Sequence, residues 1–240
     1  MKKLIYVIPK EKHSEKEIKE ILLAHSEVKF VSLVGIDLSG NDTDERIPMQ
    51  IFLNDISGFA SGAIQTDGSS VVLPGIATLN NAKLDMLADF DCNWYVDYNY
   101  ENIDAETALP IGTLKIPCVL LHDNLPVDSR SILKRSVECF KTTLLNLFKE
   151  NPSALSSFDF EYKDIDELML TSATELEFWV KTPNDKADIE ELSTSQVLKE
   201  QYWSKTKGNV RTALEQTLLL MEEYGFEPEM GHKEVGGVKA

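Results

Sequence analysis

With 240 residues, 42% of them hydrophobic and 27% charged, the chain can bury one large core or two modest ones, and its composition is not that of a disordered segment. Its 40 acidic against 24 basic residues leave a formal charge of -16, which repels a phosphate backbone and argues against nucleic acid as a partner. No stretch approaches the roughly 18 to 20 apolar residues of a membrane span, and residues 1–9 lack a signal-type apolar region with a small-residue cleavage site, so a cytoplasmic protein is expected.

In chain order, residues 4–8 read as a short strand that Pro9 ends. Ser14 with Glu17 makes a capping-box pattern, and Ile18, Ile21, Leu22 and Ala24 follow at helical spacing, predicting an amphipathic helix. Residues 30–38 are β-rich, Ser39-Gly40-Asn41-Asp42 carries turn chemistry, and residues 47–53 are apolar again, which predicts a loosely closed hairpin. Glycine-punctuated segments run through residues 56–75. Residues 84–86 and 95–98 predict short extended pieces, and residues 114–121 a strong strand. Cys92, Cys118 and Cys139 are odd in number and lack the close spacing of a zinc or redox motif, so reduced thiols are expected.

Asp128 can cap a helix that starts at Ser129, where Leu133, Val137, Phe140, Leu144 and Leu147 keep a helical rhythm until Asn151-Pro152 stops it. A domain boundary near residue 124 fits this change of pattern. Phe158, Phe160 and Tyr162 alternate with polar residues, predicting a half-buried strand, and residues 174–181 predict another. Residues 183–208 are polar and aperiodic, as in a surface loop. Val210, Leu214, Thr217, Leu218 and Met221 then define a helix ending at Gly225, after which residues 226–235 can continue as a strand.

Two short patterns carry candidate chemistry. In Thr174-Glu175-Leu176-Glu177-Phe178-Trp179, strand periodicity puts Glu175 and Glu177 on one face. From those residues alone, a solvent-facing row of charges is the plainer reading. In Glu229-Met230-Gly231-His232-Lys233-Glu234, the same period pairs His232 with Glu234, and an exposed histidine is again the plainer reading. Together the segments could present three carboxylates and an imidazole, a donor set suited to Mg²⁺ or Mn²⁺ and to phosphoryl transfer. No phosphate-binding glycine loop, dinucleotide fingerprint or serine-hydrolase elbow is present.

Several segments, in order, resemble glutamine synthetase. Asp37-Leu38-Ser39-Gly40 with Ile47-Pro48 resembles the start of that family's N-terminal domain, and Asp67-Gly68-Ser69-Ser70 its "DGSS" loop. Asp85-Met86 with Ala88-Asp89, and Asp128-Ser129-Arg130-Ser131 with Lys134-Arg135, resemble two further family segments. Glu175-Leu176-Glu177-Phe178 resembles its metal-binding strand, and residues 229–236 its later acidic and histidine motif. Thr66 departs from the aromatic residue usual before "DGSS", residues 71–74 depart from the usual continuation, and Lys233 stands where a histidine is common.

The resemblance implies an α+β fold: a β-grasp domain over residues 1–123, then, over residues 124–240, the first part of a catalytic domain with an antiparallel sheet and helices. It implies ATP-dependent ligation of ammonia to the γ-carboxylate of glutamate through a γ-glutamyl phosphate. By the same correspondence Glu177 and Glu234 bind one divalent ion, Mg²⁺ or Mn²⁺, and Glu175 binds another. Glu229 contacts ATP, and Asp67 binds ammonium and takes its proton, with Ser70 in the same loop. The family's next glutamate ligand falls past Ala240, so this chain alone is expected to be a C-terminally truncated, inactive part of a ring-forming ligase. The alternatives are a γ-glutamyl ligase for another amine and a non-catalytic interaction protein that keeps the fold.

Overall fold

The computed structural model describes residues 4–73, 75, 82–178, 206 and 208–232. In order, the elements are β1 (Val7–Ile8), α1 (Glu15–Ala24), β2 (Val28–Val34), β3 (Ile47–Pro48), α2 (Met49–Asn54), α3 (Ile56–Ala60) and β4 (Ile64–Asp67). They continue with β5 (Lys83–Ala88), β6 (Trp94–Ile103), β7 (Pro110–His122), β8 (Leu125–Pro126), α4 (Ser129–Glu150) and α5 (Gly208–Glu223). The chain divides into two compact units, Met1–Leu170 and Thr171–Ala240.

In the first unit β7 organises an α+β fold. Its Leu114, Ile116, Cys118 and Leu120 alternate with less buried residues, so one face of a 13-residue strand enters the core. The first half of β7 pairs antiparallel with β6 and parallel with β2, aligning Leu33 with Ile116 and Val96 with Leu114. Its second half pairs antiparallel with β5 and then with β8. One parallel pair therefore sits in an otherwise antiparallel sheet. Gly112 permits a close approach, because a Cβ there would lie 2.8 Å from Val96 Cγ1 and 2.9 Å from the Tyr98 ring.

The helix α1 closes over this sheet with Ile18 and Leu22, both almost fully buried, each contributing about 1.5–3 kcal/mol of hydrophobic stabilisation. Ser14 caps it by accepting the Glu17 amide at 3.3 Å, as the capping-box pattern predicts. Buried His13 stacks on Trp94 with ring centroids 3.9 Å apart, and its ring nitrogens lie 3.1 Å from the carbonyls of Ile8 and Phe90. These contacts join β1 to the turn between β5 and β6. The β7–β8 hairpin turns through Asp123 and Asn124 at φ 48° and 63°, the left-handed pair of a type I′ turn.

The expected hairpin over residues 30–53 forms only in part. Ile47 and Pro48 pair with β2, but Met49–Asn54 is helical. Met49, Phe52, Leu53 and Ile56 recur at helical intervals and all four are buried, a pattern that overrides strand propensity. The strand expected around Phe158 is also absent. Residues 156–159 form turns and bends, and Phe158 and Phe160 stay 58% and 43% exposed, so no apolar face is buried there to reward a strand.

In the second unit α5 ends where the sequence predicts. Gly225 has φ 79° and its amide donates to the Glu222 carbonyl, while the Phe226 amide donates to the Met221 carbonyl, the paired bonds of a Schellman cap. The chain then runs back along α5, since a Cβ on Gly231 would meet Leu214 at 2.9 Å and Leu218 at 3.1 Å. Residues 226–232 are not a strand, and residues 174–178 are without regular secondary structure. The rest of those two expected strands, 179–181 and 233–235, lies outside the described residues, as does most of the expected loop over 183–208. Among the described residues no helix is long and apolar enough to cross a membrane.

Candidate functional site

Asp67 closes β4 and caps the short 3-10 turn Gly68–Ser70. Its carboxylate accepts the Ser69 amide at 2.8 Å and the Ser69 hydroxyl at 2.7 Å, while the side chain stays exposed. Local sequence explains the turn: aspartate followed by Gly-Ser satisfies the amide two residues on with its own side chain. The Gly68 amide donates to the Ala82 carbonyl at 2.7 Å, fixing the loop against the start of β5.

The connection between β2 and β3 supports this loop from both sides. Ahead of it, the Thr66 hydroxyl donates to Glu45 Oε1 at 2.8 Å. Beyond it, the Val72 amide donates to Asp37 Oδ2 at 3.0 Å, and the Leu38 amide donates to the Val72 carbonyl at 3.1 Å. Asp37 is 5% exposed and also accepts the Ser39 amide, the Asn41 amide and the Asn41 side-chain amide. The Asn41 bond leads the effects that hold its carboxyl down at about 2, against the opposing pull of burial.

A second cluster joins β5 to α4. Asp128 is fully buried; it accepts the Ser131 amide at 2.9 Å and hydroxyl at 2.7 Å as the cap of α4, and the Leu120 amide of β7 at 3.2 Å. Two residues on, Arg130 donates to Asp89 at 2.6 Å. Burial pushes the Asp89 carboxyl upward, but the hydrogen bonds from Arg130 and the Asp91 amide, with the charge of Arg130, leave it below the usual range. Burial pushes the thiols of Cys92 and Cys118 up to about 11 and about 12, so neither is a thiolate nucleophile at neutral pH.

The remaining predicted site residues are placed differently. Glu175 and Glu177 are exposed on a segment without strand pairing, so the shared strand face expected for them is not formed. Glu229 and His232 are exposed on the segment that follows α5, and Glu234 lies outside the described residues. Glu175, Glu177 and Glu229 offer exposed carboxylate oxygens, the ligand type that Mg²⁺ and Mn²⁺ take. Among the described residues no three histidine, cysteine, aspartate or glutamate side chains are gathered as a metal-binding group. A hollow of about 450 Å³ beside the end of α4, lined in part by Lys149, Phe158, Phe160 and Tyr162, contains none of these candidates.

Asp37, Asp89 and Arg130 fall in segments that carry the resemblance but had no role assigned from sequence, and Glu45 falls in none of them. Asp37 alone leaves a local signal, an aspartate followed two and four residues later by Ser39 and Asn41, the spacing of a side-chain-to-backbone turn. The partners of Glu45 and Asp89 lie 21 and 41 residues away and have no local signature. In comparisons with known proteins, no family model matches the chain and no curated protein matches it.

Proposed function

We propose that this chain supplies the N-terminal β-grasp domain and metal-binding carboxylates of a glutamine-synthetase-like ligase, which joins ammonia to the γ-carboxylate of glutamate at the expense of ATP. The observation that carries the reading is the Asp67 loop. Four residues resembling the family's "DGSS" form an ordered turn, held from both sides, with the aspartate carboxylate at the surface. The parallel β2–β7 pair covered by α1 supports a β-grasp arrangement. Two other resembling segments meet in the Asp89–Arg130 ion pair.

In this reading Asp67 attracts ammonium across a subunit interface of a ring and accepts its proton, leaving ammonia to displace phosphate from γ-glutamyl phosphate. Glu175, Glu177 and Glu234 hold divalent cations, and Glu229 contacts ATP. The bound cations supply neutralisation of phosphate charge. Free Cys92, Cys118 and Cys139 fit a reducing compartment, the cytoplasm.

Mn²⁺ titration followed by water-proton relaxation tests the metal role directly. Wild type is expected to bind Mn²⁺ weakly, and Glu175→Gln and Glu177→Gln are each expected to weaken it further by about tenfold, the loss of one charged ligand. Equal binding by wild type and both variants overturns the assignment.

A further inference from the structure

The loop that presents Asp67 is not self-supporting. Its own bonds, from Ser69 to Asp67, set the shape of the turn but not its place on the molecule. Its entry is held by the β4–β5 pairing, which aligns Asp67 with Lys83, and by the Gly68 amide on Ala82, while two carboxylates from the β2–β3 connection grip the chain at Thr66 and Val72, on either side of the turn. Glu45 takes the Thr66 hydroxyl one residue ahead of Asp67, and Asp37 takes the Val72 amide five residues beyond it.

We propose that Asp37 and Glu45 are positioning residues for Asp67, clamping both ends of its loop so that the carboxylate is presented in one place. The proposal rests on the reading of Asp67 as the ammonium-binding carboxylate. Asp37 suits the task because it is buried and ionised and already holds its own turn through Ser39 and Asn41, so the Val72 amide docks onto a rigid acceptor. Thr66 gains a specific purpose: an aromatic side chain at this position lacks the short hydroxyl that Glu45 binds.

Amide hydrogen exchange on the chain, with Asp37→Asn and Thr66→Val, tests the clamp without any assumption about catalysis. Asparagine turns one oxygen acceptor into a donor, and valine removes only the hydroxyl. Each variant is expected to speed exchange at Ser69 by about tenfold or more, with Val72 also faster in Asp37→Asn, while Leu33 and Val96 in the sheet keep their protection. Unchanged protection at Ser69 in both variants overturns the clamp.

A ligase assay on the assembled protein then separates positioning from mere stability. Thr66→Val is expected to raise the KM for ammonium several-fold with kcat held within about twofold, and to add nothing in an Asp67→Asn background. Additive effects of the two substitutions overturn the positioning role. If Asp67→Asn leaves both kcat and the KM for ammonium of the intact, assembled ligase unchanged, the reading of Asp67 fails, and the exchange result still decides the clamp.

Discussion

Replacing Asp128 with alanine removes both the cap of α4 and a tie to β7 at one stroke, and the sum of the two costs can be worked out from the structure. One oxygen accepts the Ser131 amide at the start of α4, and the loss of such a cap costs about 1 kcal/mol. The other accepts the Leu120 amide of β7 beside the Ser131 hydroxyl, and leaving the buried Leu120 donor without its acceptor costs a further 1–3 kcal/mol or so. The expected loss is about 3 kcal/mol. At a urea slope of about 2 kcal/mol/M, the unfolding midpoint followed by circular dichroism falls by about 1.5 M. Asp128→Ser separates the terms, because serine still caps the helix but does not reach the strand. It should lose about 2 kcal/mol. A loss below about 1 kcal/mol in Asp128→Ala, or equal losses in the two variants, refutes the reasoning.

The Asp37 carboxyl titrates near 2 instead of its ordinary 3.8, so its stabilisation is present above the ordinary value and is lost as pH falls through the range down to about 2. Its full extent is about 2 kcal/mol, and urea titrations between about pH 5 and pH 2 should show the gap between wild type and Asp37→Asn closing on acidification; a constant gap contradicts this. Asn124→Gly should stabilise the β7–β8 hairpin by about 0.5 kcal/mol, because glycine adopts the φ of 63° without steric cost; measurable destabilisation in thermal melts counts against the type I′ assignment. Gly112→Ala should destabilise by about 1–3 kcal/mol by driving a methyl into Val96 and Tyr98; an unchanged melting temperature contradicts that close packing.

Helix ends were the most legible features in the sequence, because a cap is a local interaction with a short signature. Ser14 with Glu17, Asp128 with Ser131, and Gly225 all lie where their patterns place them. Short apolar runs were less legible. Residues 47–53 satisfy strand propensity and helical spacing at once, and only the joint burial of Met49, Phe52, Leu53 and Ile56 decides for a helix. The parallel pairing of β2 with β7 was beyond reach, since it joins residues more than eighty positions apart, as in Leu33 with Ile116. Glu175 and Glu177 show the opposite difficulty: their alternation specifies a shared face only if a neighbouring strand holds the segment extended, and residues 174–178 have no strand partner among the described residues.

The same distinction explains why the candidate site was only half legible. Asp67 and its turn could be found because aspartate, glycine and serine define their conformation within four residues. Where that turn sits depends on Glu45 and Asp37, whose bonds span 21 and 35 residues. Read along the chain, Thr66 is only a departure from the aromatic residue usual before "DGSS". Set in the fold, it is the hydroxyl that ties β4 to the β2–β3 connection. A substitution beside a motif therefore has to be judged by the partner it acquires, and at Thr66 that partner is a carboxylate one strand connection away from the residue proposed to bind ammonium.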